Sequence, residues 1–168
     1  MELIKLFLFG AIGYLLAGLY DVAILYERPL LRKFLYPGFF ITAVPYAVIF
    51  FTWDSPFPGF VFWIILPLVI VFALLLIYSV MIETSLFSDT TGKLYQRGTY
   101  RISRHPGFIW YTVINILVSI YYWNYRITVV FFGLTVCNLI LITVEDYIFF
   151  PKMFPEYEEY RKHTPFFL

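Results

Sequence analysis

The feature that most restricts this chain is the length of its apolar runs. A helix needs about 20 predominantly apolar residues to cross a bilayer. Five segments approach that length, roughly residues 3–25, 34–53, 60–82, 106–123 and 127–149. Runs of this size cannot all be buried in one water-soluble core. The polar inventory agrees. Only 14% of residues are charged and 61% are hydrophobic, whereas soluble domains are about a quarter charged. The mean hydropathy is +0.80. We expect an all-α integral membrane protein with one domain over residues 1–168, five transmembrane helices and a cytoplasmic C-terminal amphipathic segment.

Proline lacks a backbone N–H and clashes with the preceding turn, so Pro37 and Pro45 predict a kink or a late start in the second span. The stretches "WDSPFPG" (53–59) and "WNYR" (123–126) read as tight turns, making spans two and three, and four and five, antiparallel hairpins. Gly13 and Ala17 lie one turn apart, with Gly10 nearby, and small residues let helix backbones approach closely in lipid. The single Cys137 excludes an internal disulfide and a cysteine metal cluster. It reads as a small buried hydrophobe. The first run lacks a small-residue cleavage site and reads as a retained helix rather than a signal peptide. A net charge of +1 gives no global field to attract nucleic acid.

Charge placement predicts orientation. With five spans, the N-terminus and the 54–59 and 123–126 turns share one side, which carries Lys5 and Arg126. The other ten of the 12 basic residues fall on the opposite side, among them Lys93, Arg97, Arg101, Arg104, Arg161 and Lys162. Basic residues concentrate on the cytoplasmic side, which places the C-terminus and the 83–105 loop inside. Most acids, including Glu83, Asp89, Glu145 and Asp146, and both histidines fall there too. Groups capable of chemistry therefore gather at one cytoplasmic end.

Within "YRISRHPGFIWY" (100–111), Pro106 fits the first residue of a helix, where its missing N–H costs nothing. Proline pushes the preceding residue, His105, off helical geometry. Arg104 and His105 are then expected on extended backbone before a helix N-terminus, which favours anions. The fifth run closes in "TVEDYIFF", and acids at the end of an apolar helix are rarely without function. Acids also sit badly at the negative end of a helix dipole. Glu145 and Asp146 therefore call for a partner, either a ligand cation or Arg101, Arg104 or Arg161. In "FPEYEEYRKHTPFFL" (154–168), Pro155 can open a short interfacial helix, Glu158 and Lys162 are spaced as an i, i+4 pair, and Tyr157 and Tyr160 share a side. That helix can lie under the bundle or act as a lid. His163 reads as a solvated interface residue, and two histidines without a cysteine cluster make no metal site.

Taken in order, "GTYRISRHPGF" (98–108), the acidic pair and "FPEYEEYRKHTPFF" (154–167) resemble the integral-membrane methyltransferases related to isoprenylcysteine carboxyl methyltransferase, which include the phospholipid N-methyltransferases. The resemblance covers roughly 98–168. It implies S-adenosylmethionine bound at the cytoplasmic side between the ends of the fourth and fifth spans, with a lipid or lipophilic small-molecule acceptor arriving from the bilayer. Arg104 and the helix start at Pro106 would receive the cofactor carboxylate, and Glu145 or Asp146 its amine. His105 would bond the adenosine moiety. Tyr100, Phe108 or Tyr160 would stack on adenine or face the sulfonium. Arg104 and Glu145 are the residues expected closest to the transfer.

Phe108 stands where the family carries tyrosine, Trp110 where it carries glycine, and Asp146 where it carries a second glutamate. Residues 140–144 lack the arginine of the carboxyl methyltransferases, which points to another acceptor, such as a lipid amine. An Arg-His-Pro element also resembles that of the NADPH-dependent sterol and steroid reductases, and a non-catalytic relative is the third reading.

Overall fold

The computed structural model describes residues 3–83 and 94–168; Asp89 and Lys93 lie outside them. Every regular element among the described residues is helical. The first span is α1, Leu3–Leu25. The second is broken into α2 (Pro29–Leu35), α3 (Gly38–Ile41) and α4 (Val44–Thr52). Pro37 precedes α3 and Pro45 sits in the first turn of α4, so the expected proline distortion becomes two interruptions. The third is α5, Gly59–Ile77, which carries Pro67 in its interior and runs on through a π-helical turn, Tyr78–Glu83.

A 3-10 turn, Gly98–Arg101, leads to α6, Pro106–Tyr122. Next comes α7, Tyr125–Val144, opened by the Asn124 side chain accepting from the Arg126 N–H. A second π-helical turn, Glu145–Phe149, and a short α8, Phe150–Met153, continue α7, and α9 spans Tyr157–His163. Four helical stretches among the described residues are long and apolar enough to cross a membrane: Leu3–Leu25, Pro29–Thr52, Gly59–Glu83 and Tyr125–Met153. This is the composition of a multi-pass membrane protein. The helix α6 is equally apolar in character but only 17 residues long. It stops at Trp123, whose left-handed φ of 43° ends the helical path.

The small residues of α1 are packing residues. A side chain at Gly13 would meet the Thr42 backbone nitrogen at 2.8 Å and the Gly38 carbonyl at 3.0 Å. Backbone therefore rides on backbone where α1 crosses α3. Gly10 admits Leu134 and Pro45 in the same way. The apolar core gathers Leu6, Tyr14, Ile49, Tyr111, Ile127, Phe131 and Leu134. Inside it, a polar chain ties three helices. Tyr46 lies 2.7 Å from the Tyr111 hydroxyl and 2.6 Å from Asn115 Oδ1. One hydroxyl has one proton, so Tyr46 donates to Asn115 and accepts from Tyr111. Asn115 Nδ2 donates to Thr135 Oγ1 at 2.6 Å. In lipid these groups have no water to turn to, which makes the chain a register for α4, α6 and α7.

Candidate functional site

The start of α6 and the π turn that follows α7 meet at one end of the bundle. Pro106 is the first residue of α6, and His105 before it is non-helical at φ −129°, ψ 61°. Arg104 and His105 are both buried. Arg104 NH1 donates to Asp146 Oδ2 at 2.8 Å, and His105 Nε2 donates to Asp146 Oδ1 at 3.2 Å. Tyr157, from α9, donates its hydroxyl to the same Oδ1. Arg161 Nε stands 3.7 Å from Oδ2. Burial raises the pKa of the Tyr157 phenol, and its hydrogen bond to Asp146 adds to the shift, so the hydroxyl keeps its proton. Asp146 is fully buried, accepts hydrogen bonds from three donors and has Arg161 as a further ion-pair partner.

This differs from the expected placement in two respects. First, the acids do not close a helix. The chain continues through the π turn into α8, so the dipole conflict anticipated at a helix end does not arise. Second, Asp146 takes two of the arginines named as its possible partners, Arg104 and Arg161, so Arg104 is committed to Asp146 rather than free for the carboxylate that the resemblance implies. Glu145 does not join them. Successive residues on a helix point about 100° apart, so when one acid faces α6 and α9, its neighbour cannot. Glu145 is half-buried and faces Asp21 of α1, with Tyr100 nearby. Among the described residues it has no cation partner.

The other expected residues are distributed around this centre. The Tyr160 hydroxyl donates to the Tyr100 carbonyl at 2.6 Å, tying α9 to the 3-10 turn. Burial raises the pKa of both phenols. Phe108 stacks on Phe167, with centroids 5.2 Å apart and planes at 23°. His105 lies 4.7 Å from the Phe166 ring, and the Arg104 guanidinium carbon lies 5.3 Å above it. Arg104 Nε is buried without a partner among the described residues. Trp110 tilts against Phe72 with its own buried Nε1 unpartnered. The expected Glu158–Lys162 pair is replaced by Lys162–Glu159 at 2.8 Å and Arg161–Glu158 at 3.6 Å. His163 is exposed and bonds Glu159 at 2.9 Å.

Sequence reasoning passed over Asp21, Glu83, Tyr157 and Ser103 as site residues. Asp21 had a signal, an acid inside an apolar helix, which is rarely idle. Glu83 is fully buried, ends the first π turn, and accepts from the Thr99 N–H at 2.9 Å, the Thr99 hydroxyl and the Tyr95 hydroxyl. Gly98 permits this. Its φ is +57°, and a Cβ there would stand 1.5 Å from Glu83 Oε1. Glu83 thus clamps the 3-10 turn that delivers Arg104 and His105. Ser103 is buried and accepts from the His105 N–H at 3.1 Å, which fixes the backbone ahead of the helix.

Two cavities lie elsewhere, and neither is lined by Arg104, His105, Glu145 or Asp146. A groove of about 690 Å³ runs between the first turns of α1 and α7, past Phe7, Trp53 and Arg126. An apolar pocket of about 300 Å³ sits among Tyr46, Phe62, Ile114 and Tyr121. No protein-family model matches this chain, and neither does any curated protein or solved structure.

Proposed function

We propose that the chain is a membrane-embedded methyltransferase that uses S-adenosylmethionine and acts on a lipid or lipophilic acceptor at the cytoplasmic face. One observation carries the reading: Arg104 and His105 converge with the acidic turn after α7 and with the tyrosines of α9. These three segments hold the motif set that resembles the membrane methyltransferases. In this reading α6, within the range of about 17–25 residues that can cross a bilayer, is the fourth span in chain order and brings the total to five. The excess of Lys and Arg at this end sets it at the inner leaflet.

The residues fit an amino-acid moiety. Among the described residues Arg104 Nε is a buried donor without an acceptor, which suits a carboxylate. Among the described residues Glu145 is an acid without a cation, which suits an ammonium group. When bound, S-adenosylmethionine would supply a sulfonium methyl group for transfer to the acceptor's lone pair, the carbon–sulfur bond breaking and the positive charge passing to the acceptor, and Arg104 and Glu145 would hold its carboxylate and amine. Asp146 acts as a positioning residue, holding Arg104 and His105 against the start of α6. Phe108, Tyr100 and Tyr160 offer aromatic faces. The lipid environment keeps water from the acceptor, and alignment is the main task left to the protein.

The test is binding by the purified protein in detergent or nanodiscs. S-adenosylhomocysteine is expected to raise the melting temperature and NADPH to leave it unchanged. Glu145→Gln should weaken S-adenosylhomocysteine binding about tenfold or more, the scale of a lost hydrogen bond to a charged group. Stabilisation by NADPH instead would assign the chain to reductase chemistry. Stabilisation by neither ligand would favour the non-catalytic reading.

A further inference from the structure

The segment 165–168 lies across the site in an unusual manner. Thr164 is buried and its N–H bonds the Tyr160 carbonyl at 3.0 Å, which anchors the chain at the end of α9. Beyond it, attachment is light. The Arg104 N–H donates to the Pro165 carbonyl at 3.0 Å and Ser103 Oγ donates to the Phe166 carbonyl at 3.1 Å. Among the described residues, the amides of Phe166, Phe167 and Leu168 donate to nothing. The two rings nevertheless land on residues that the resemblance assigns to the cofactor. Phe166 packs on His105 and under Arg104, and Phe167 stacks on Phe108 at the offset-parallel spacing of an aromatic pair. Phe166 and Phe167 brace each other edge to face at 4.6 Å.

Resting on the proposed cofactor reading, we infer that Phe167 is a built-in competitor for the Phe108 ring face, so that a planar heteroaromatic ligand binds there only by displacing it. Phe167 is 37% exposed, so its release is a local opening and needs no movement of α6 or α9. A site that is self-occupied binds its ligand more weakly by the fraction of molecules in which it is open. The occupancy of Phe108 by Phe167 therefore lowers the apparent affinity for the cofactor and makes entry dependent on tail release.

The experiment measures S-adenosylhomocysteine affinity by calorimetry in nanodiscs for the wild type, Phe167→Ala and Phe167→Leu. Removal of the ring is expected to tighten binding about two- to tenfold, the scale of one aromatic pair. The leucine variant should lie between the alanine variant and wild type. A spin label at Leu168→Cys, in a Cys137→Ala background, should become more mobile when S-adenosylhomocysteine is added. Unchanged or weaker binding in both variants would overturn the inference while leaving the cofactor reading intact, since Phe167 would then be part of the pocket wall. Absence of binding in the wild type and both variants would overturn the cofactor reading and this inference together.

Discussion

Asp146→Asn isolates what holds the two ends of the site together. The carboxylate takes Arg104 NH1 at 2.8 Å and Arg161 Nε at 3.7 Å on Oδ2, and His105 Nε2 at 3.2 Å and the Tyr157 hydroxyl on Oδ1. Asparagine has the same shape but one acceptor fewer and no charge. It can keep His105 and Tyr157 on its oxygen, but its amide then faces the Arg104 guanidinium, donor against donor. Arg104 is 9% exposed, so water does not replace the lost counter-ion. Breaking a buried ion pair from one side costs about 3–5 kcal/mol. The retained hydrogen bonds and the partly open Arg161 place the expected cost at the lower end, about 3 kcal/mol. At about 2–4 °C per kcal/mol for a chain of this size, the melting temperature should fall by about 6–12 °C. Thermal unfolding in one fixed detergent measures it. A double-mutant cycle with Arg104→Met separates the pair from its surroundings, with an expected coupling of about 1–3 kcal/mol. A fall below about 3 °C, or costs that add within about 0.5 kcal/mol, would show that the carboxylate is not the organising charge and would refute the reasoning.

Two glycines yield predictions with internal controls. Gly13→Ala drives a Cβ to 2.8 Å from the Thr42 backbone nitrogen and should cost about 1–3 kcal/mol, as overpacking does, whereas Gly18→Ala meets only the end of Leu141 at 3.2 Å and should be mild. Equal melting temperatures for the two variants would contradict backbone-level packing of α1 on α3. Gly98→Ala requires a left-handed alanine and displaces Glu83, so it should destabilise by more than about 1 kcal/mol and weaken S-adenosylhomocysteine binding through the loosened 3-10 turn; Gly59→Ala, with nothing within 4 Å, should be silent. Parity of Gly98→Ala with Gly59→Ala would remove the Glu83 clamp from the account.

What the sequence revealed follows physical lines. Helical spans were legible because hydropathy over many residues averages out local detail, and four of the five runs reappear as helical stretches of spanning length and hydropathy. Pro106 opened α6 where expected because proline acts on local backbone geometry. The details that escaped are non-local. Neither π turn leaves a periodic mark, since an extra residue in one turn is invisible in a uniformly apolar pattern. The split between Glu145 and Asp146 depends on that turn and on what packs against each side. The role of Glu83 depends on Gly98, fifteen positions later, which makes room for its carboxylate. The end of α6 at Trp123, by contrast, falls where the run 106–123 and the turn "WNYR" set it, and one left-handed residue makes it.

Both π turns bear a fully buried acid, Glu83 after α5 and Asp146 after α7. Such bulges recur at functional sites, and here each turns a carboxylate inward to fix a different part of the same end of the bundle. Glu83 holds the 3-10 turn and Asp146 holds Arg104 and His105 directly. Both are satisfied by the chain itself, so their removal should register first as lost stability. Glu145 stands apart. Arg104 and Arg161 are spent on its neighbour, and its near companion is another acid, Asp21. Glu145 and Asp21 hydrogen-bond each other through their side chains, while the two arginines of this cluster serve Asp146. The burden of ligand recognition in this reading therefore falls on Glu145 rather than Asp146, and the two neutralising variants should separate. Asp146→Asn should lower the melting temperature with or without ligand, whereas Glu145→Gln should leave the unliganded protein near wild type and lose only the ligand-induced rise. If both variants lost stability alike and bound S-adenosylhomocysteine alike, the division of labour between these adjacent acids would be refuted.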